Sequence, residues 1–289
     1  MYMVWFIFAF LSAIFKSLHE FLTKKFLNNV DKYILASGSF LITGILLFLY
    51  SYYKGFPVMR DKLFLAIVST TLLNIIMVIL TYTALKITDL SLAAPISSFT
   101  PLFLILTSFI ILKEVPNRYG LLGIFLVVMG SYILNFKRNK ELLYPIKNFF
   151  NNKGIFYLFI VAFLASISIN FDKLVVLNSD ASFGTSIVYF LLGIIFLIIS
   201  LIKNKNALKI YYKNFSKFLV VGLFIFLGSI SINLAYQIQK AAYVSAINRF
   251  HILFAILSGG ILLKERNLVI RFVGGLMMVG GMIIIALFG

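Results

Sequence analysis

The sequence predicts an all-α integral membrane protein, its ten transmembrane helices arranged as two inverted five-helix repeats. Three observations lead there: the composition, the length of the apolar runs, and the likeness of the two halves. Of 289 residues, 62% are hydrophobic and only 12% are charged, with mean hydropathy +1.04. Soluble domains carry about 25% charged residues, so lipid must cover this surface. Apolar runs of about 20 residues recur from end to end, enough to cross a hydrocarbon core of about 30 Å. A β-barrel would show short alternating strands instead.

Charge and turn clusters punctuate the chain and delimit the spans. The first run, 3–22, has no charge from Met1 to Ile14 and reads as a spanning helix, not a cleaved leader. Lys24 and Lys25 close it, and 33–53 follows. A loop with Lys54, Arg60 and Lys62 leads to 63–85 and then 90–112, which ends at Leu112-Lys113-Glu114. The fifth run is 118–136. The basic segment 137–153 carries Lys137, Arg138, Lys140, Glu141, Lys147 and Lys153 and divides a first repeat, 1–136, from a second, 154–289. Beyond it lie 154–176 and 184–202, a loop with Lys203, Lys205, Lys209, Lys213 and Lys217, then 217–239, 243–263 and 268–288.

The halves correspond in order and spacing. Leu112-Lys113-Glu114 matches Leu263-Lys264-Glu265. Nine residues past each glutamate stands a glycine, Gly123 or Gly274, and seven further on another, Gly130 or Gly281. Seven residues make about two helical turns, so each pair shares one face and permits close packing in lipid. Tyr82 and Lys86 match Tyr236 and Lys240, and Ala9-Phe10-Leu11 matches Ala162-Phe163-Leu164, with a small gap inside the fourth and ninth spans. Five spans is an odd number, so the second copy starts on the opposite side of the membrane. Inverted repeats of this kind are built to exchange conformations around one central site.

This pattern resembles the drug/metabolite transporter superfamily, specifically its EamA-type ten-helix carriers. The resemblance rests on the two Leu-Lys-Glu ends with their glycine pairs, on Pro101, and on Asn248-Arg249-Phe250 leading to Ile252-Leu253-Phe254 and Gly259-Gly260. It implies export or exchange of small metabolites, and a cavity lined mainly by helices one, three, four, six, eight and nine.

Charged residues within spans cost about 2.5–3.5 kcal/mol at a helix centre, so each needs a partner, a route to the interface or a wet cavity. Lys16 and Glu20 are one turn apart in the first span, either an internal ion pair or a cavity face. His19 lies on a neighbouring face, either a group that titrates near neutral pH or, the favoured reading, a buried hydrogen-bonded histidine. Asn170, Asp172 and Lys173 lie near the end of span six, and Asp172 and Lys173 occupy the repeat positions of His19 and Glu20. Arg249, in span nine with Ser245, Asn248 and His251, suits carboxylate or phosphate recognition; pairing with Asp172 or Glu20 is the alternative. In span four, Pro95 and Pro101 flank Ser97, Ser98 and Thr100, whose hydroxyls can satisfy the backbone groups that the prolines free. The substrate-binding candidates are therefore Lys16, Glu20, Tyr82, Ser98, Asp172, Tyr236 and Arg249. The proton-coupling candidates are His19, Glu20, Asp172 and His251. Asn74, Asn233 and Gln237 are weaker candidates, and Glu114 and Glu265 read as anchors at helix ends.

Other classes fall away. With no cysteine and two histidines, thiol chemistry is excluded and neither a metal nor another cofactor is expected. No G-x-x-x-x-G-K-[ST] loop exists to hold ATP phosphates. The net charge of +17 is spread through short loops, as lysines snorkelling to lipid head groups would be, and not gathered for nucleic acid. The expectation is a secondary carrier, not an enzyme, for a small polar or anionic metabolite. It would work by alternating access in the cytoplasmic membrane, with lipids and a small-molecule substrate as partners. It would be a monomer, with a dimer as the alternative. A lipid head-group translocator and a non-transporting scaffold or receptor are the competing readings. Both termini lie on one side; family likeness puts them inside and the positive-inside count outside.

Overall fold

The computed structural model describes residues 3–87, 93–135, 147–254 and 268–289. All regular structure among these residues is helical: α1 Val4–Phe26, α2 Lys32–Lys54, α3 Leu63–Ile87, α4 Ala93–Ser97, α5 Thr100–Leu112, α6 Arg118–Asn135, α7 Lys153–Leu177, α8 Phe183–Lys203, α9 Ala207–Lys213, α10 Phe215–Ile238, α11 Ala241–Asn248 and α12 Leu268–Phe288. Most of the segment 137–153 and Glu265 lie outside the described residues, as do Gly259 and Gly260. Seven helical stretches of 18 to 25 residues are long and apolar enough to cross a membrane. At 1.5 Å per residue they span roughly 27–38 Å. Two shorter apolar stretches, Arg118–Leu134 and Val273–Phe288, lie in α6 and α12. Phe64, Leu65, Leu106, Ile110 and Ile202 are each more than half exposed, a surface suited to lipid and not to water.

Helix boundaries follow local chemistry. Asp31 caps α2, its carboxylate accepting from the Tyr33 N–H at 2.9 Å and the Ile34 N–H at 3.4 Å. Gly55, at φ 86°, ends that helix in a conformation costly for other residues. Asn152 caps α7 through the N–H groups of Gly154 and Ile155. Asp180 precedes α8 and accepts from the N–H groups of Ser182 and Phe183.

The chain divides into two compact units. The first comprises Met1–Ile7, Leu72–Asn170 and Ile238–Gly289; the second comprises Phe8–Thr71 and Phe171–Gln237. Each draws on sequence from both sides of residue 153.

In the first unit α6 packs along α12. A Cβ at Gly123 would lie 2.7 Å from the Gly281 carbonyl oxygen, and one at Gly130 would lie 2.5 Å from that of Gly274. Position 123 thus meets 281 and position 130 meets 274, so the helices run antiparallel with the two glycine pairs face to face. α11 is buried along its whole length and packs on α5, α6 and α12. Its N-cap, Lys240, contributes no side-chain cap. The cap comes from elsewhere: the Glu114 carboxylate accepts from the Ala241 N–H at 2.8 Å, while Lys240 Nζ donates to the Val115 carbonyl at 2.8 Å. Glu114 is thus a helix-end anchor, favoured there by the helix dipole. Replacing it with alanine should cost about 0.5–2 kcal/mol. A lowered melting temperature of the detergent-purified protein would register the loss. An unchanged one would mean that the bond contributes nothing.

In the second unit α2 packs on α8 in the same antiparallel sense. Gly44 faces Phe190, and Gly193 faces Leu41. α10 lies against the same helix, where the Thr43 hydroxyl donates to the Gly222 carbonyl at 3.0 Å. Val30, Ile34, Leu35, Ala207 and Phe218 form an apolar core at one end of this unit.

Candidate functional site

Among the described residues of the first unit, two helical runs are broken. Between α4 and α5 the chain turns at Ser98 and Phe99, whose N–H groups donate three residues back, to the Pro95 and Ile96 carbonyls at 3.1 Å. The Thr100 hydroxyl donates to the Ser97 carbonyl at 2.8 Å. The Thr100 hydroxyl thus satisfies the carbonyl that Pro101 leaves without its helical donor, as the sequence suggested. Ser98 itself is fully buried.

The second break was not foreseen. α11 stops at Asn248, and helical backbone resumes at 250–254. Arg249 occupies the turn, half-buried, its N–H donating to the Ala246 carbonyl at 3.1 Å while its own carbonyl accepts from Ile252 at 3.0 Å. These bonds again span three residues, as at Ser98. With the small gap between the copies, Leu112 aligns with Leu263, and the same offset aligns Ser98 with Arg249. Counted back from the Leu-Lys-Glu ends, with the gap placed before Ser98, the two runs turn at matching positions. His251, two residues past Arg249, is buried with Nδ1 2.7 Å from the Asn248 carbonyl oxygen.

A polar network lies nearby in sequence on α5 and α7. Asn170 Nδ2 donates to Thr107 Oγ1 and to the Ser166 carbonyl, each at 2.9 Å, and the Thr107 and Ser166 hydroxyls are 3.2 Å apart. Asn74 Nδ2 donates to Ser168 Oγ at 3.2 Å. Thr107 and Ser166 carried no sequence signal alone. The available hint was the placing of Ser166 and Asn170 one turn apart in an apolar helix. Asn170 Oδ1 is buried without a hydrogen-bond partner among the described residues, an exception among buried polar groups. Tyr82 belongs to this unit through α3, and its side chain lies outside the described residues.

The second unit holds Lys16, His19, Glu20, Asp172 and Tyr236. His19 hydrogen-bonds the Lys16 backbone and lies within reach of its charge. Opposite this part of α1, a Cβ at Gly228 of α10 would stand 3.9 Å from the backbone nitrogen of Lys16. Asp172 Oδ1 accepts from the Thr70 hydroxyl at 2.5 Å. The Tyr189 hydroxyl lies 2.9 Å from Ser229 Oγ. Thr70 with Asp172, and Tyr189 with Ser229, are thus two polar pairs drawn from four helices. Tyr236 is buried on α10. Asn233 is an anchor, donating to the Ala181 carbonyl and Thr185 Oγ1 at 2.8 Å each.

Apolar helices of membrane-crossing length, with hydroxyls, amides and charges held among them, define an integral membrane protein, and the family match makes it a membrane transporter of the drug/metabolite type. The chain belongs to the EamA-like transporter family, whose model matches it twice, over residues 3–136 and 152–287. No curated protein sequence matches it. Among solved structures, one titled only as the crystal structure of a protein is similar with TM-score 0.73. Its identity is 12%, covering 96% of this chain and 94% of that one, a likeness of fold alone.

Proposed function

We propose that this transporter is a secondary carrier that moves a small polar or anionic metabolite by alternating access, through ten crossings in two inverted repeats. The observation that carries the reading is the pair of breaks at corresponding positions, Ser98 in one repeat and Arg249 in the other. Discontinuous helices at repeat-related positions are a recurrent substrate-site device in carriers. The antiparallel pairing of α6 with α12 and of α2 with α8 supports inversion, because each pair joins equivalent spans of the two copies.

In this reading Arg249 recognises the anionic group of the substrate. Lys16, Ser98, Tyr82 and Tyr236 supply further contacts. Glu20 and Asp172 are the carboxylates able to carry a coupling proton, with His19 and His251 as alternatives. One chain suffices, since the two-fold relation is internal to it. The setting is the cell membrane, with both termini on one side.

The test is counterflow into proteoliposomes holding the purified chain, against a panel of carboxylates, phosphate esters, neutral sugars and cations. Saturable uptake of an anionic solute, accelerated by the same solute inside, is the expected result. Uptake confined to cations or neutral sugars would sink the anionic assignment. A rate independent of solute on the far side would sink the exchange mechanism.

A further inference from the structure

The connection between α8 and α10 is not a plain loop. It contains α9, seven residues long, whose faces have three different characters. At 100° per residue, Ala207, Ile210 and Tyr211 share the inner face. They pack with Val30, Ile34, Leu35 and Phe218, and the Tyr211 hydroxyl bonds Ser37 of α2 and Ser200 of α8. Leu208 and Tyr212, one turn apart, form a second face, 72% and 91% exposed. Lys209 and Lys213, also one turn apart, form the third and are exposed. An apolar flank beside a basic flank is the pattern of a helix lying in a membrane interface.

More lysines converge on the same end of the unit. Lys203 Nζ lies 3.2 Å from the Tyr33 hydroxyl and 4.3 Å from its ring centroid, and Lys32 lies 5.1 Å from that centroid. One ring thus holds two ammonium groups together. Lys217 stands over the Phe26 ring, and Lys24 and Lys25 are exposed at the end of α1. Residues 21–33 and 201–218 contain eight lysines and one acid, Asp31, whose carboxylate is engaged in capping α2. Ile202 and Phe215 are exposed here as well.

We infer that α9 and the surrounding lysines form an interfacial anchor for the acidic head groups of phospholipids. Leu208 and Tyr212 enter the acyl boundary, and Lys205, Lys209 and Lys213 meet lipid phosphates. The proposal is independent of the transported substrate, because it uses none of the residues assigned to it. Basic clusters of this size beside a membrane-crossing helix bind acidic lipid in a salt-dependent way.

The experiment uses the full chain in detergent. Melting temperature and retained lipid, the latter by native mass spectrometry, are followed while phosphatidylglycerol or phosphatidylcholine is added. Phosphatidylglycerol should raise the melting temperature and remain bound, the effect fading in high salt. A K205Q/K209Q/K213Q variant should need at least about tenfold more lipid for the same response. L208S/Y212S should weaken it too, while K54Q/K62Q, altered at the other end of the unit, should respond as the wild type does. Equal stabilisation by phosphatidylcholine or by inorganic phosphate would overturn the proposal. So would a full response in the triple-lysine variant.

Discussion

A Gly130→Ala variant should lose several degrees of melting temperature, whereas Gly280→Ala should lose none. The two substitutions add the same methyl group. At Gly130 it meets the Gly274 carbonyl oxygen at 2.5 Å, backbone that cannot rotate away. The helices must part, and overpacking of this kind costs about 1–3 kcal/mol. The fall in melting temperature is then on the order of 5–10 °C. At Gly280 the methyl finds nothing within 4 Å. There alanine brings only its higher helix propensity, a gain of up to about 1 kcal/mol. The two variants should therefore differ in sign. Gly281→Ala, also 2.5 Å from a facing carbonyl oxygen, should be as damaging as Gly130→Ala, and Gly274→Ala, at 2.9 Å, milder. Fluorescence-detected size exclusion after heating gives the ranking. Equal shifts at 130 and 280 would mean that the helices of this pair are not in glycine-to-glycine contact.

The same glycines show what a sequence can and cannot carry. Spacing put Gly123 with Gly130, and Gly274 with Gly281, on one helical face, because seven residues fix an angle. Spacing could not say that the two faces meet each other, since periodicity marks a face and not its partner. The break between α4 and α5 was legible through Pro95 and Pro101, which remove hydrogen bonds wherever they stand. The break at Arg249 was not, because no proline or glycine adjoins it, and Ser245, Asn248, Arg249 and His251 interrupt the apolar run without requiring the helix to break. α9 was hidden for another reason. Its seven residues include Lys209 and Lys213 and are flanked by Lys203, Lys205 and Lys217, so the segment reads as a basic loop and is too short for periodicity to mark its packing face. At the site, Asp172 announced itself by its charge. Its partner Thr70 did not, since a threonine in an apolar helix is ordinarily silent, bonding back to its own backbone.

Arg249→Ala should reduce carrier-mediated uptake of an anionic substrate about ten- to hundredfold. The argument turns on what a half-buried guanidinium costs. An arginine within a span is unfavourable by about 2.5–3.5 kcal/mol at a helix centre, so it calls for a partner or a wet cavity in the empty carrier. Its worth to a bound anion is that of a charge-assisted hydrogen bond, about 1.5–3 kcal/mol, which corresponds to the stated loss of rate. If Arg249 instead serves as one half of a permanent buried ion pair, alanine strands the other half, a loss of about 3–5 kcal/mol. Melting temperature and transport would then fall together. Arg249→Lys separates charge from shape. Lysine keeps the charge but not the planar fork, so a carboxylate or phosphate ester held by two parallel bonds should be carried at an intermediate rate. A lysine variant as fast as the wild type would reduce the role of Arg249 to that of a point charge. An alanine variant that transports at the wild-type rate would remove it from the substrate's path and leave the break it occupies without a ligand-directed purpose.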